Sequence, residues 1–397
     1  MSSQLLMSDF ETDLARPPAV TWTVQAVKQV SFDVTVARDV LNPDNPALVR
    51  AGATGSGRQR RFVVVDAAVD RLYGGRLRAY LDHHGVDHHV HVVEVDEERK
   101  TVHTALDIVA HIDEFGIDRR REPVIAIGGG VLLDIVGFVA GTYRRHTPFV
   151  RVPTTLIGLV DAGIGVKTGV NFGTHKNRLG TYEAPAIALL DRSFLATVDD
   201  RHISNGLAEI LKIALIKDRS LFEVLESHGA RLIEERLQGH TAEGEHAARE
   251  VLRRAVHGML EELQPNLWEE KLERLVDYGH SFSPSVEMRA LPALLHGEAV
   301  NVDMALTTLL AWARDMVSTQ ERDRVFAVMR ALRLPIWHPV CSLDLLIRAL
   351  LDTVRHRDGQ QRLPLPVGIG TAAFVNDLTE LELEHAASLL RQFGEGR

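Results

Sequence analysis

Between Arg61 and Val152 the chain alternates short apolar runs with longer periodic stretches. Arg61-Phe-Val-Val-Val-Asp66 and Pro123-Val-Ile-Ala-Ile127 are near-continuous apolar runs, the pattern of strands buried on both faces. His89 to Val95 and Phe149-Val-Arg-Val152, closed by Pro153, read as two more strands. Helical spacing fills the intervals, over Arg71 to His83, Thr101 to Phe115 and Val131 to Thr142. Strand and helix in alternation predict a parallel sheet with helices on both faces. Upstream, residues 1 to about 20 read as a loose arm, and Val24 to Val36, which alternates in part, as strand or hairpin.

From about Arg201 the texture changes. Ser204 to Ile216, Leu221 to Leu237, Glu243 to Leu263, Pro292 to Ala313 and Thr319 to Leu332 predict long helices, and strand signals almost vanish. A boundary near Asp199-Asp200 would divide the chain into an α/β nucleotide-binding domain, 1–199, and a mostly α-helical metal- and substrate-binding domain, 200–397. The active site is then expected in the cleft between them. No internal repeat or low-complexity tract is evident.

Composition narrows the function classes. The chain has 397 residues, 45% hydrophobic and 25% charged, as in soluble globular proteins of one large or two ordinary domains. A net charge of -9 gives no general attraction to nucleic acid or to an anionic membrane, so any phosphate-binding residues must be concentrated locally. The single cysteine, Cys341, excludes an internal disulfide and fits a reducing cytoplasm. Met1 to Arg16 is polar and acidic, unlike a signal peptide, and no apolar run approaches the roughly 20 residues that span a bilayer. Most of the 19 histidines sit in polar segments such as His83-His84 and His88-His89 and read as solvated surface.

Two sets of residues carry candidate chemistry. Ile127-Gly128-Gly129-Gly130-Val131-Leu-Leu-Asp134 is an apolar strand running into a glycine turn and a helix, the usual seat of a nucleotide pyrophosphate. Without G-x-G-x-x-G spacing the turn alone better fits an ordinary strand-to-helix corner. Its company favours phosphate. Pro153-Thr154-Thr155 leads to Asp161, and Lys167 and Lys176-Asn177 lie in a glycine-rich stretch of an otherwise acidic protein. The second set is Glu209 in Gly206-Leu-Ala-Glu-Ile-Leu-Lys212, His280 after Gly279, and His296 in Leu295-His-Gly-Glu-Ala299. One carboxylate and two imidazoles form a common three-ligand set for a catalytic zinc with an open position. A dinucleotide beside such a metal suggests alcohol oxidation, the metal acidifying a hydroxyl and the nicotinamide taking the hydride.

The order of these motifs, over roughly Asp66 to Gly370, resembles the sugar phosphate cyclases, whose best-known member is 3-dehydroquinate synthase. The resemblance implies a dehydroquinate synthase-like fold and a homodimer. It implies zinc or cobalt on Glu209, His280 and His296, and NAD around Asp66, Glu97, Lys100, Gly129, Gly130, Val131, Asp134, Thr154, Thr155, Asp161, Lys167, Lys176, Asn177, Phe194 and Thr197. Lys167, Lys176, Lys212 and Arg144 or Arg145 would bind phosphate, and Asp277 and His356 would hold substrate hydroxyls.

Departures from dehydroquinate synthase bear on the substrate. That enzyme reads Asn-Phe-Gly-His-Thr-Phe-Gly-His where this chain has Asp277-Tyr-Gly-His-Ser-Phe-Ser-Pro284. Its arginine before this motif falls near Glu273, with Arg274 adjacent, and its C-terminal carboxylate-binding group falls near His356. An added anion and fewer cations disfavour an acidic sugar. The pattern, with Leu267-Trp268 and Leu291-Pro-Ala-Leu-Leu-His296, resembles the 2-epi-5-epi-valiolone synthases, which act on sedoheptulose 7-phosphate in C7-cyclitol biosynthesis. The reaction implied is transient oxidation by NAD, loss of phosphate, reduction and aldol closure. The rivals are 3-dehydroquinate synthase, a cyclase making 2-epi-valiolone or desmethyl-4-deoxygadusol, a metal-dependent polyol dehydrogenase, and an inactive cyclase-like binding protein.

Overall fold

The computed structural model describes residues 6–8, 21–52, 59–173 and 175–395; most of the expected N-terminal arm lies outside these. Strand β1 (Leu6–Ser8) pairs antiparallel with β2 (Thr21–Thr23). Then follow β3 (Asp33–Ala37), the short α1 (Ala47–Arg50), β4 (Arg60–Asp66), α2 (Ala67–His83), β5 (Asp87–Val93) and α3 (Val102–Phe115). β6 (Val124–Gly128), α4 (Gly130–Thr142) and β7 (Phe149–Pro153) complete the alternation. An antiparallel hairpin, β8 (Lys167–Phe172) and β9 (His175–Tyr182), precedes the last strand of the main sheet, β10 (Ile187–Asp191).

That sheet is six-stranded and parallel, in the order β3-β10-β7-β6-β4-β5. Its central strands are mostly apolar because both faces are covered, the buried Arg61 and Arg151 being exceptions. Val63 and Val65 of β4 point towards Leu77, Tyr80 and Leu81 of α2, whereas Phe62 and Val64 point towards α3 and α4. Because β4 lies between β5 and β6, the chain's winding reverses there. The crevice beyond the carboxyl ends of β4 and β6 is the topological switch point, where sheets of this kind bind ligands.

The second half is helical: α5 (Asp200–Ile216), α6 (Arg219–Glu234), α7 (Ala242–Leu263), α8 (Ser283–Ala290), α9 (His296–Ala313), α10 (Thr319–Ala331) and α11 (Leu343–His356). A hairpin of β11 (Leu363–Pro366) and β12 (Ala372–Val375) and the final α12 (Glu380–Gly394) follow. Asp199 caps α5 through the His202 amide at 3.0 Å. Helices α5 and α9 are buried on every side from Ile203 to Ile216 and from Gly297 to Ala311, as befits the centre of a helical layer. They run close together: a Cβ on Gly297 would lie 2.0 Å from the Asn205 carbonyl oxygen.

Four points of the sequence reading need correction. Strands do occur in the second half, but Pro364 and Pro366 mask β11, which suits proline only as an edge of a two-stranded ribbon. The segment read as Pro292 to Ala313 starts at His296, and a separate α8 precedes it with Pro284 in its first turn. Val24 to Val36 is irregular until β3. Finally β10, α11 and α12 were not read from the sequence at all.

Candidate active site

One cleft of about 1780 Å³ is lined from both halves of the chain. From the sheet come Asp66, Glu97, Lys100, Gly129, Gly130, Val131, Asp134, Thr155, Asp161, Lys167, Lys176 and Asn177; from the helical half come Lys212, Arg274, Asp277, His280, Glu287 and His296. Most of the residues singled out in the sequence therefore converge.

At the sheet end, β6 delivers the chain into the first turn of α4, and Gly129 stands at the N-cap. A Cβ on Gly129 would come within 3.2 Å of Thr155, and one on Gly130 within 3.2 Å of Ala162, so the backbone amides face a narrow cradle. A helix N-terminus with bare amides attracts phosphate. Asp66 ends β4, caps α2 through the Ala68 amide at 2.7 Å, and has its carboxyl pKa raised by burial. That is the place of a ribose-binding acid. Lys100 is 4% exposed and donates to Asp134 Oδ2 at 2.6 Å and to Asn177 Oδ1 at 2.5 Å. Asn171, which the sequence did not single out, extends this network to Glu97 at 2.8 Å and to the Asn177 amide at 2.8 Å. Thr154 lies beneath it, buried, its amide donating to the Gly128 carbonyl at 3.0 Å.

At the helical end, Glu209 projects from α5, His280 from a turn and His296 from the first position of α9. Gly279 makes the turn possible: its φ is +72°, and a Cβ would meet Met304 and Val300 at 2.9 Å. Glu209 Oε1 lies 3.4 Å from His296 Nε2 and 3.8 Å from His280 Nε2. Neighbouring ligands on tetrahedral zinc with bonds of 2.0–2.1 Å sit about 3.3 Å apart, so little adjustment is needed. The far nitrogens are already anchored, His280 Nδ1 to the Tyr278 carbonyl at 3.1 Å and His296 Nδ1 to Glu287 Oε2 at 3.0 Å. Neither fully buried oxygen of Glu209 has a hydrogen bond of good geometry, although Lys212 Nζ stands 2.6 Å from Oε2. Burial opposes it, but Lys212 and the imidazoles hold the Glu209 carboxyl well below its usual range. Burial also opposes the rise at His296, where Glu209 and Glu287 push the pKa up to about 10. One carboxylate and two anchored imidazoles, their donor atoms within 4.8 Å of one another, fit a divalent ion.

Glu287 joins the two ends. Its other oxygen accepts from Lys176 Nζ at 2.6 Å. The sequence signal was weak: an acid one helical segment beyond His280. Such an outer carboxylate orients its histidine and raises its basicity. Glu287→Gln is therefore expected to weaken metal binding by roughly 10–100-fold, read as metal retained against graded chelator. Wild-type retention would leave Glu287 with no part in holding the ion.

Every lysine of the expected phosphate cradle has a carboxylate partner. Lys167 meets Glu269 at 2.5 Å, and Lys176 also faces Glu97 at 3.6 Å. Lys167 opens to the cleft with 59% of its side chain accessible, yet protein surrounds it. Desolvation and the Arg274 charge lower its pKa to about 8. Asp277 is gripped by Arg274, whose Nε donates at 3.0 Å and whose Nη2 adds a second bond, while Arg357 Nη2 stands 3.8 Å away. Burial opposes it, but the two arginines keep the Asp277 carboxyl below its usual pKa. Arg274 also pairs with Glu269.

Several expected site residues do not reach the cleft. Arg144 and Arg145 follow α4, whose 13 residues carry the chain about 20 Å from the glycine cradle. There Arg144 lies over the Tyr143 ring and 3.9 Å from Asp113. His356 is exposed, and its neighbour Arg357 turns inward instead, since successive helical residues point about 100° apart. Phe194 is buried edge-on to Tyr73, at 5.0 Å between ring centres, and Thr197 Oγ1 lies 3.0 Å from the Tyr73 hydroxyl. Both sit behind the sheet's α2 face.

A doubly wound sheet with a glycine cradle, facing a Glu-His-His set across one cleft, defines a class: the chain belongs to the dehydroquinate synthase family of sugar phosphate cyclases. The family's 3-dehydroquinate synthase N-terminal model matches residues 90–205 and its C-terminal model residues 206–356. Within the family the similarity is to 2-epi-5-epi-valiolone synthases. The chain is 63% identical to that of Streptomyces albus over 376 residues, covering 95% of this chain and 92% of the relative. It is 62% identical to that of an Actinoplanes species over 375 residues, 94% of each. The solved 2-epi-5-epi-valiolone synthase of Streptomyces hygroscopicus subsp. jinggangensis 5008, with NAD+ and Zn2+ bound, superimposes with a TM-score of 0.88 at 56% identity, over 94% of this chain and 100% of that one.

Proposed function

We propose that the protein is a 2-epi-5-epi-valiolone synthase-type cyclase that converts sedoheptulose 7-phosphate into a C7 cyclitol with loss of phosphate. What carries the reading is the 63% identity to such a synthase along 95% of the chain, together with a complete Glu209-His280-His296 set in the same cleft as the glycine cradle. The solved relative's NAD+ and Zn2+ support the same pair of cofactors here. NAD would supply transient oxidation and later reduction of one substrate carbinol, and zinc or cobalt would polarise its oxygen.

The chain's own residues do the rest. Gly129, Gly130 and Thr155 seat the pyrophosphate, Asp66 the ribose, and the Lys100-Asp134-Asn177 network fixes the wall beside them. Lys167 and Lys176 exchange their carboxylate partners for phosphate oxygens and hold the leaving group. Lys212, buried beside Glu209, stabilises negative charge that develops on the substrate near the metal set. The departing phosphate takes the proton next to the new ketone, so no side chain need act as base. Closure of the opened ring then requires a single held conformer. We assign residues 1–199 to the NAD-binding part and 200–397 to the metal- and substrate-binding part, working in the cytoplasm as a homodimer on a route to a secondary metabolite. No described helix is long and apolar enough to cross a membrane.

Oxidation followed by reduction in one site means that NAD is recycled. Product is expected to accumulate over many turnovers with no net rise in NADH absorbance. A rise matching product mole for mole would mark a simple dehydrogenase. Asp134→Ala is expected to weaken NAD binding, because Lys100 then loses a partner at 2.6 Å; unchanged affinity would move the pyrophosphate elsewhere.

A further inference from the structure

The described residues hold a second cluster with metal-ligand geometry, away from the cleft: His91, Asp107 and His111. His91 lies on β5, the edge strand of the sheet, and Asp107 and His111 lie one turn apart on α3, which packs over it. One donor atom from each falls within 4.8 Å of the others. His91 Nε2 is 3.0 Å from Asp107 Oδ2, and the His91 and His111 rings lie 4.0 Å apart. His111 Nδ1 lies 2.9 Å from the Asp107 carbonyl oxygen and 3.8 Å from Asp107 Oδ1. His89, two residues before His91 on the same face of β5, stacks on Phe62 at 5.3 Å and stands 6.4 Å from the His111 ring.

The parts resemble the catalytic set in chemistry and differ in setting. A carboxylate and two imidazoles come from two rigid elements; the 3.0 Å gap between His91 and Asp107 needs only a few tenths of an ångström to reach the ligand spacing of tetrahedral zinc, and one of the two stacked rings, whose planes lie 28° apart, must turn for both to face a shared ion. Here, however, Asp107 is 55% exposed and His111 37%, so water can complete the coordination and the ion can exchange. Imidazole-rich sites of this kind take zinc, nickel or cobalt in preference to calcium or magnesium.

We propose that His91, Asp107 and His111 form a second, surface site for a borderline divalent cation such as zinc, which ties edge strand β5 to α3 and is independent of the catalytic ion. It should bind more weakly than the buried set, because a solvent-open site of three ligands excludes little water.

The test is zinc stoichiometry of the NAD-loaded protein by equilibrium dialysis against buffered zinc, with elemental analysis. Wild type is expected to reach two ions per chain. The double variant Asp107→Asn with His111→Ala, at one exposed and one half-buried position, is expected to stop at one, with its turnover unchanged. His280→Ala is expected to keep the surface ion alone, so that failure here and failure of the catalytic assignment give different counts. A wild-type chain that saturates at one ion below roughly 1 mM free zinc, or a double variant that still binds two, overturns the proposal.

Discussion

His280→Ala is expected to give a folded protein that keeps almost none of its catalytic metal and turns over no sugar phosphate. The ring is 24% exposed at the cleft and its one hydrogen bond is to the Tyr278 carbonyl, so the turn loses little else. The conformation of that turn is set by Gly279 and by the buried Tyr278 and Phe282. The metal loses one of three ligands. If the ion supplies several kcal/mol to the oxidation, its loss costs roughly 10³-fold or more in rate. Metal content and turnover should fall together, and zinc or cobalt should restore activity to chelated wild type. Full turnover in strong chelator, with no metal by elemental analysis, would end the assignment of Glu209, His280 and His296.

Asp277→Asn is expected to lose about tenfold to a hundredfold in turnover of sedoheptulose 7-phosphate, the worth of one charge-assisted contact. The geometry alters what else should follow. From the sequence, Asp277 reads as an added anion that repels an acidic sugar, in a site short of cations, so that the variant need not gain activity on such a sugar. In the fold the cations are present and occupied. Arg274 folds back onto Asp277, and Arg357, 8% exposed, stands beside it, bonded to backbone carbonyls and near Ser281, with the Asp303 charge also acting on it. The protein's own carboxylate fills the place that a substrate carboxylate would take against Arg274. Neutralising it should leave Arg274, which lines the cleft, held by Glu269 alone, and leave the buried Arg357 with only the Asp303 carboxylate for a counter-charge. Two results are therefore expected beside the lost turnover: a lower Tm, and tighter inhibition by 3-deoxy-arabino-heptulosonate 7-phosphate than in wild type. Unchanged Tm and unchanged inhibition would mean that the two arginines do not depend on Asp277.

Legibility in the sequence followed local physics. β4 and β6 could be read because burial on both faces makes them unbroken apolar runs, and Gly128 to Gly130 and Asp66 then fall at their carboxyl ends by construction. The metal set was legible because each ligand sits in a stretch that shapes it: Gly279 before His280, and a helix starting at His296. What was not legible needed tertiary information. β9 is largely exposed and polar, so no period marks it, and prolines hide β11. Arg144 and Arg145 are near the cradle in sequence but at the far end of α4. His356 and Arg357 differ by one position, and only the packing of α11 decides which faces inward. Glu287 and Asn171 act through partners 111 and 74 residues away in Lys176 and Glu97, a distance that no local pattern spans.

The central claim is that this cleft cyclises a neutral ketose phosphate. The most direct measurement is NMR of the products after separate incubation of the zinc- and NAD-loaded protein with sedoheptulose 7-phosphate and with 3-deoxy-arabino-heptulosonate 7-phosphate. The account expects a phosphate-free C7 cyclitol with the spectrum of 2-epi-5-epi-valiolone from the first, and the second returned unchanged. Conversion of the acidic sugar to 3-dehydroquinate at a comparable rate would contradict it.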